Sequence, residues 1–374
     1  MKKVAIVGAG ISGLYLANEL DKNTELDYKI FEKKEYINQN DSYGIQLSVN
    51  SIKLLNNIGF KNISASDVYY PTKVNFFQAN NTKKICEIDL KQFNNDHDRY
   101  TTLKRSTLIK FLSDNIPKEK IQFKADIENI EYREKIEISC GNNKENFDYL
   151  VIADGVFSKL KSQISKDHLK PIFNGNIALR ANLNRHEKDN VSIYMGSNFH
   201  YVIYPVNQKP DYNFVAIIKK KLSREQIADR EIHNSDILIK SLKDLISKNS
   251  NLKSEDLKNI KCFPVFVSSQ LPTLKYQNTF LSGDALFTFP PSFAQGASQS
   301  IETAKGILEN ITNSNNIYKD TVSKILLVNK RSKLNHFAFH LTNPIIILIR
   351  NLVLRYLSKN KKFLESYLGK IYRN

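Results

Sequence analysis

Hydrophobic and polar positions change period along this chain in a way that marks out its elements. Lys3 to Val7 is a short apolar run stopped by Gly8, the pattern of a buried strand. Ile11, Leu14, Leu16, Ala17 and Leu20 then recur at helical spacing, and DYKIFEK gives a second strand ending on Glu32. The chain therefore begins with a βαβ unit. GIQLSVNSIKLLNNIGF reads as an extended piece followed by a helix starting near Asn50. KVNFFQANNTKKICEIDL alternates like a hairpin around Asn80-Asn81, and LKRSTLIKFLSDNI is an amphipathic helix. Alternating strands follow, then a buried one from Tyr149 to Ala153 that closes on Asp154-Gly155. From about Ile172 to Phe266 the pattern is mostly strand, with the helical DILIKSLKDLISK inserted. After Gly296 it is helical to the end.

A strand-rich block set between nucleotide-binding segments implies an α/β protein with two interleaved domains. We expect a discontinuous Rossmann-like domain from 1–72, 98–170 and 272–335, a β-rich substrate domain from 73–97 and 171–271, and C-terminal helices over 336–374. The 374 residues are long enough for this arrangement, and the apolar and charged fractions are those of a globular protein. Cys86, Cys140 and Cys262 are odd in number and far apart, which points to a reducing cytoplasm and away from a disulfide framework or a metal site. No signal-peptide pattern precedes the first strand. The net charge of +17 is spread in ones and twos among asparagines, so no nucleic-acid partner is expected from it.

Three motifs carry the chemistry. In VAIVGAGISG, Gly8, Gly10 and Gly13 form GxGxxG between a strand and a helix, with Ser12 inside the turn. The first glycine permits the tight turn, the second lets backbone approach a pyrophosphate, and the third lets helix pack on strand. Helix N–H groups then face the phosphate. Glu32 ends the next strand, where a carboxylate can hold the ribose hydroxyls. YLVIADG and TFLSGD each end a strand on a carboxylate, Asp154 (followed by Gly155) and Asp284, at the edge where a ligand crevice opens. A carboxylate so far beyond the fingerprint suits FAD, whose ribityl chain and ring extend past the pyrophosphate. Asp284 would accept from a ribityl hydroxyl. The helix starting near Gly296 and Ala297 would set positive partial charge beside the flavin. Ala297, Ile301, Ala304, Leu308 and Ile311 fall on one face of that helix. A Gly-Asp turn with an N-capping Asp is the plainer reading of the last motif taken alone.

In these motifs, in this order, the chain resembles the single-component FAD-dependent aromatic hydroxylases, of which para-hydroxybenzoate hydroxylase is the best-known type. The segments GIQLSVNSIKLLNNIGF and PSFAQGA resemble the salicylate hydroxylase branch. The resemblance implies FAD as cofactor and NADH or NADPH as a transient electron donor, in keeping with the lack of a second GxGxxG. It also implies hydroxylation of a small aromatic substrate by O2 through a flavin C4a-hydroperoxide. By resemblance Gln46 runs along the flavin, Arg105 lies near the cofactor, and Pro291 faces the ring. The family usually places His where this chain has Phe287, which puts local packing there in question. In FHYVIYPV, His200, Val202 and Tyr204 share one strand face. By resemblance His200 would accept the phenolic proton, its imidazole titrating near neutrality, and Tyr204 would hydrogen-bond the substrate. Arg180 reads either as a partner for a carboxylate or the flavin edge, or as a solvated side chain. The absence of tryptophan removes the signature of the related flavin halogenases.

The C-terminal NPIIILIRNLVLRYLSKNKK is too short in its apolar run to span a membrane. Ile345, Ile349, Leu352, Val353 and Leu357 form one helical face. Such a face packs on the protein body or on a partner in a homodimer. The other reading is peripheral contact with an anionic membrane, Lys359, Lys361 and Lys362 lying beside the lipid. Two rivals to a soluble hydroxylase follow: a membrane-associated hydroxylase of a ubiquinone-type precursor, and a non-catalytic FAD-binding protein.

Overall fold

The computed structural model describes residues 1–373 apart from 24, 40–42, 168, 184–189, 210, 230 and 314–316. Strand Lys2–Val7 pairs in parallel with Leu26–Phe31 on one side and Tyr149–Ile152 on the other. Thr279–Leu281 and Ile121–Gln122 complete a five-stranded parallel sheet. Helix Ile11–Leu20 covers one face, pressed between Arg105–Asp114 and Gly296–Asn313. The expected face of that last helix is the buried one: Ile301, Ala304, Leu308 and Ile311 join a core with Val4, Ile6 and Leu14. Fusing these elements into one layer places the carboxyl ends of Lys2–Val7, Tyr149–Ile152 and Thr279–Leu281 side by side.

Close approach at the first turn makes this possible. Gly8 has φ +106, a left-handed conformation that side chains resist, and a Cβ there would lie 2.6 Å from the Ala153 carbonyl oxygen. A Cβ on Gly13 would lie 2.1 Å from the Gly8 carbonyl oxygen. The helix therefore seats on the turn only because no side chain intervenes.

The second layer is a seven-stranded sheet in the order Leu257–Val267, Ile172–Leu183, Tyr212–Lys219, Phe199–Pro205, Val191–Gly196, Lys73–Gln78, Lys84–Asp89. The last two form the expected hairpin, with Gln78 N–H donating to Lys83 across the turn. Period-two alternation sorts strand Phe199–Pro205 cleanly. Phe199, Tyr201 and Ile203 enter a core sealed by Leu238, Leu242 and Ile246 of helix Asp236–Asn249, while His200, Val202 and Tyr204 line a cavity on the opposite face. A register slip of one residue would exchange the two sets, so burial of one face fixes the other as cavity wall. After Gly296–Asn313, helices Ile317–Phe339 and Pro344–Leu357 precede a last short helical run ending at Tyr372. The three cysteines are free.

Replacing Gly13 by Ala forces its methyl into the Gly8 carbonyl. We expect a loss of roughly 3 kcal/mol or more from such overpacking, read as a fall in the urea midpoint of the flavin-free protein.

Candidate functional site

The three strand ends carry the three motifs, and the contacts between them are direct. Ser12 Oγ lies 2.5 Å from Ser282 Oγ and donates to the Ser300 carbonyl at 3.0 Å. Its hydroxyl thus ties the fingerprint helix to the Gly283-Asp284 turn, leaving its backbone as what it offers a ligand. Glu32 follows its strand as expected. One carboxylate oxygen accepts from Ala9 N–H at 2.8 Å and the other from Lys34 N–H at 3.0 Å, so the side chain braces the glycine turn. Each oxygen keeps a lone pair for a further donor.

Whether a dinucleotide fits can be judged from groups the fold itself does not explain. Gly10 has extended backbone at φ −86, and the nearest atom to a Cβ there is the Ala153 carbonyl oxygen, 4.0 Å away. Nothing in the protein requires glycine, whereas a phosphate lying on the turn would. A Cβ on Gly296 meets nothing within 4 Å, at the mouth of a helix facing the cavity. Asp154 Oδ1 and Gln295 Nε2 are buried without a hydrogen-bond partner. Ala294 is held at φ +53 immediately before Gln295, strain of a kind that collects at functional sites. Orphaned polar atoms cost stability unless a ligand satisfies them. The helix mouth is itself fixed: Ser298 Oγ lies 3.0 Å from Ser48 Oγ and 2.9 Å from Ser51 Oγ.

A single cavity of about 1400 Å³ brings together Gln46, Arg105, His200, Tyr204, Asp284, Pro291, Gly296 and Ala297. Gly8, Gly10, Ser12, Gly13, Glu32, Asp154 and Gly155 lie outside it, around the strand ends. The two groups join through Gly283, where a Cβ would lie 3.4 Å from the Ser12 Cβ, and through Gly8, where one would lie 3.0 Å from the Asp154 Cα. An elongated ligand with one end at the fingerprint and the other in the cavity follows this path.

Charge along the path is tuned by enclosure. Burial pushes Asp154 up to about 6, opposed by a hydrogen bond from Ser158 and by the charges of Lys33 and Lys161. Asp284 opens onto the cavity but is walled by protein elsewhere. That desolvation raises its pKa, with Arg105 and Lys161 pulling the other way. Lys161 is buried, its own pKa lowered by desolvation while both carboxylates hold it charged. Nothing in the sequence singles it out beyond its place seven residues after Asp154.

The substrate side departs from expectation in one respect. His200 is fully buried, with Nδ1 2.8 Å from His340 Nε2 and the His336 ring close by. Desolvation, then repulsion from His340 and His336, pushes its pKa well below the ordinary value, so the imidazole is neutral rather than near its titration point. Burial is the main cause and the two histidines about 140 residues away add to it, neither of which leaves a local signal. Tyr204 is buried too, its pKa raised by desolvation. Tyr100 donates to Gln46 Oε1 at 2.7 Å, making the wall beside it polar. Arg180 lines the cavity with its guanidinium 5.9 Å from the Tyr43 ring centroid. Phe287, in the position where histidine was expected, is packed in the core.

In the sequence Arg350 interrupts the apolar run of the C-terminal segment. It is buried in the cavity wall, donating to the Ala338 carbonyl at 3.0 Å and to Asn351 Oδ1. No carboxylate pairs with it among the described residues. Of the apolar face of the C-terminal helix, Ile345, Ile349, Leu352 and Val353 are exposed rather than packed on the protein body, while Leu357 is half-buried at the cavity.

Residues 1–312 match the family described as FAD binding domain. The chain belongs to this family, a flavoprotein of the FAD-dependent aromatic hydroxylase class, and FAD is its cofactor. It is 23% identical over 345 residues to salicylate hydroxylase from Pseudomonas putida, covering 81% of this chain and 74% of that protein. Its fold is similar to that of Klebsiella pneumoniae HpxO complexed with FAD and uric acid. That likeness has a TM-score of 0.79 at 15% identity and covers 99% of this chain and 96% of the other. It is likewise similar to a salicylate hydroxylase substrate complex, with a TM-score of 0.78 at 17% identity, covering 100% and 95%.

Two expectations test the cofactor path. Gly10→Ala should weaken FAD binding by roughly tenfold or more, since a methyl occupies the phosphate approach, while the melting temperature of the flavin-free protein stays unchanged. Asp154 has its folded pKa at about 6 against an ordinary 3.8. Ionising it therefore opposes folding: the cost is absent below the lower value and complete above the higher. Asp154→Asn should stabilise the flavin-free protein near pH 8 by on the order of 1–2 kcal/mol after allowing for partial exposure, and by almost nothing at pH ~2.5, below both values. Denaturant titrations at both pH values check this.

Proposed function

We propose that this protein is a monooxygenase that hydroxylates a phenolic, carboxylate-bearing aromatic ring of the salicylate or hydroxybenzoate kind, with NADH or NADPH as donor and O2 as oxidant. One observation carries the reading. The residues expected at the flavin, Asp284, Pro291, Gly296 and Ala297, share a cavity with the His200–Val202–Tyr204 strand face and a buried arginine lacking a counter-ion.

Bound FAD would supply the redox chemistry, hydride acceptance and oxygen activation, that no side chain here can supply. Gly8, Gly10, Gly13 and Glu32 would hold its adenosine diphosphate half. Asp284, Gln295 and the helix mouth at Gly296 would hold the flavin half, with Gln46 and Arg105 alongside. The protein's own contribution is orientation, dryness and electrostatics. Neutral His200 would accept a hydrogen bond from the substrate hydroxyl, drawing electron density into the ring. Its Nδ1 contact with His340 offers a partner for the other ring nitrogen. Tyr204, kept protonated by burial, would donate. Arg350 and His200 flank the same segment: Arg350 donates to the Ala338 carbonyl, and the His200 and Phe339 rings lie 5.1 Å apart. A ring between them would have its hydroxyl on the imidazole and its carboxylate on the guanidinium, supplying the anion that a buried arginine otherwise lacks. Val74, Ile193, Val215 and Ile217 give the wall that keeps water out.

The test is anaerobic stopped-flow reduction of the bound flavin by NADH and by NADPH, with and without a panel of hydroxybenzoates. An aromatic that speeds reduction by orders of magnitude supports the reading, and no effect from any member overturns it. Arg350→Met keeps bulk but removes the charge. KM for a carboxylated ring should rise roughly 10- to 100-fold, the value of a charge-assisted hydrogen bond, while the uncarboxylated phenol is unaffected. Steady-state kinetics on the two substrates decide it.

A further inference from the structure

Helix Pro344–Leu357 is amphipathic the wrong way round for a protein in water. Its inward positions include Arg350 and Asn351, both buried. Its outward positions include Ile345, Leu348, Ile349, Leu352, Val353 and Tyr356, all between 47% and 69% exposed. The preceding helix, Ile317–Phe339, continues the surface with Leu326, Leu334 and Phe337, exposed at spacings of eight and three residues on one stripe, with Lys330 and Lys333 between them. A contiguous apolar face of this kind marks an interaction surface.

The charge pattern selects the partner. From Thr321 to Leu364 the chain carries nine Lys or Arg and no Asp or Glu, so 44 residues hold more than half of the net +17. Lys330, Lys333, Lys359, Lys361 and Lys362 are exposed and have no carboxylate partner among the described residues. Two copies of this face brought together about a two-fold axis would place like charge against like charge. Apolar side chains rimmed by unpaired lysines are instead the composition that enters the headgroup region of an anionic bilayer. No helix among the described residues is long and apolar enough to cross a membrane, so the contact is peripheral.

We infer that the two C-terminal helices dock this protein on an anionic lipid bilayer. The same face borders the cavity: Leu334 and Val353 are exposed on it and also line the pocket. An aromatic substrate dissolved in the bilayer therefore has a path into the pocket without crossing water. This delivery rests on the hydroxylase reading above, whereas docking does not.

Cosedimentation of the full-length, FAD-loaded protein tests docking. The vesicles are phosphatidylcholine alone or phosphatidylcholine with about 30% phosphatidylglycerol. Binding is expected only to the anionic vesicles, falling roughly tenfold when salt is raised to about 0.5 M. It should be lost in Ile349→Asp/Leu352→Asp and reduced in Lys359→Glu/Lys361→Glu/Lys362→Glu. Flavin content, melting temperature and NADH oxidation with a water-soluble aromatic should be unchanged in both variants. Absence of binding to anionic vesicles, or undiminished binding by the aspartate variant, overturns the proposal. A dimer in light scattering that the aspartate variant converts to monomer assigns the face to a second copy and also overturns it, as does salt-dependent DNA retention through the lysines without vesicle binding. Vesicle binding with no aromatic-stimulated NADH oxidation would uphold docking while removing the hydroxylase reading.

Discussion

The closest backbone approach in the fingerprint is the seating of the first helix on its own glycine turn. With no side chain on Gly13, the helix lies against the Gly8 carbonyl, and with none on Gly8 the turn lies against Ala153. Those two contacts bring the ends of three parallel strands to a common edge. Ser12 then bonds across to Ser282 and Ser300, so residues about 270 apart in sequence form one wall. Every later feature of the cofactor path needs that wall. A methyl group at Gly13 would separate the helix from the turn and with it the fingerprint from Asp284. The path is also polar where the fold does not need polarity, as the orphaned Asp154 and Gln295 atoms show. Stability surrendered at such groups is recovered only when a ligand meets them.

The seven-stranded sheet works by a different constraint. Alternation commits one face to a sealed core and so exposes the other to the cavity. His200 and Tyr204 reach the site by this parity alone. What they can do there is set by neighbours from elsewhere: His340 and His336 from the C-terminal helices, and Gln46 and Tyr100 from the first half of the chain. The pocket is thus a joint product of the sheet, the segments carrying Gln46 and Tyr100, and the C-terminal helices. A change in these helices alters both the surroundings of His200 and the exposed apolar face that borders the cavity. Catalytic environment and surface chemistry are coupled through one element, with Arg350 facing in and Ile349 facing out.

Local pattern carried a great deal. The first βαβ unit, the hairpin at Lys73–Asp89, the shared face of His200, Val202 and Tyr204, and the buried face of helix Gly296–Asn313 are all legible in the sequence. Each depends on a period of two or 3.6 and on a glycine or carboxylate at a strand end, signals contained in a few residues. The fingerprint, with Glu32 after the next strand, likewise specifies a dinucleotide because backbone geometry and phosphate charge leave few alternatives.

Other features exist only when distant segments meet. The neutral state of His200 comes first from its burial and then from two histidines about 140 residues away, and the charge of Lys161 is favoured by Asp154 and Asp284. Arg350 reads as an interruption in an apolar run because periodicity tells which residues share a face but not which face turns inward. Tertiary packing turned Arg350 and Asn351 in and the apolar face out, against the usual preference, and Arg350 lines the cavity. The sequence by itself determined the elements and the cofactor, since both rest on short-range geometry. The tertiary structure decided the protonation state of His200, which side chains share the cavity and the orientation of the C-terminal helix, since each is a matter of what lies across a space that no single segment encloses.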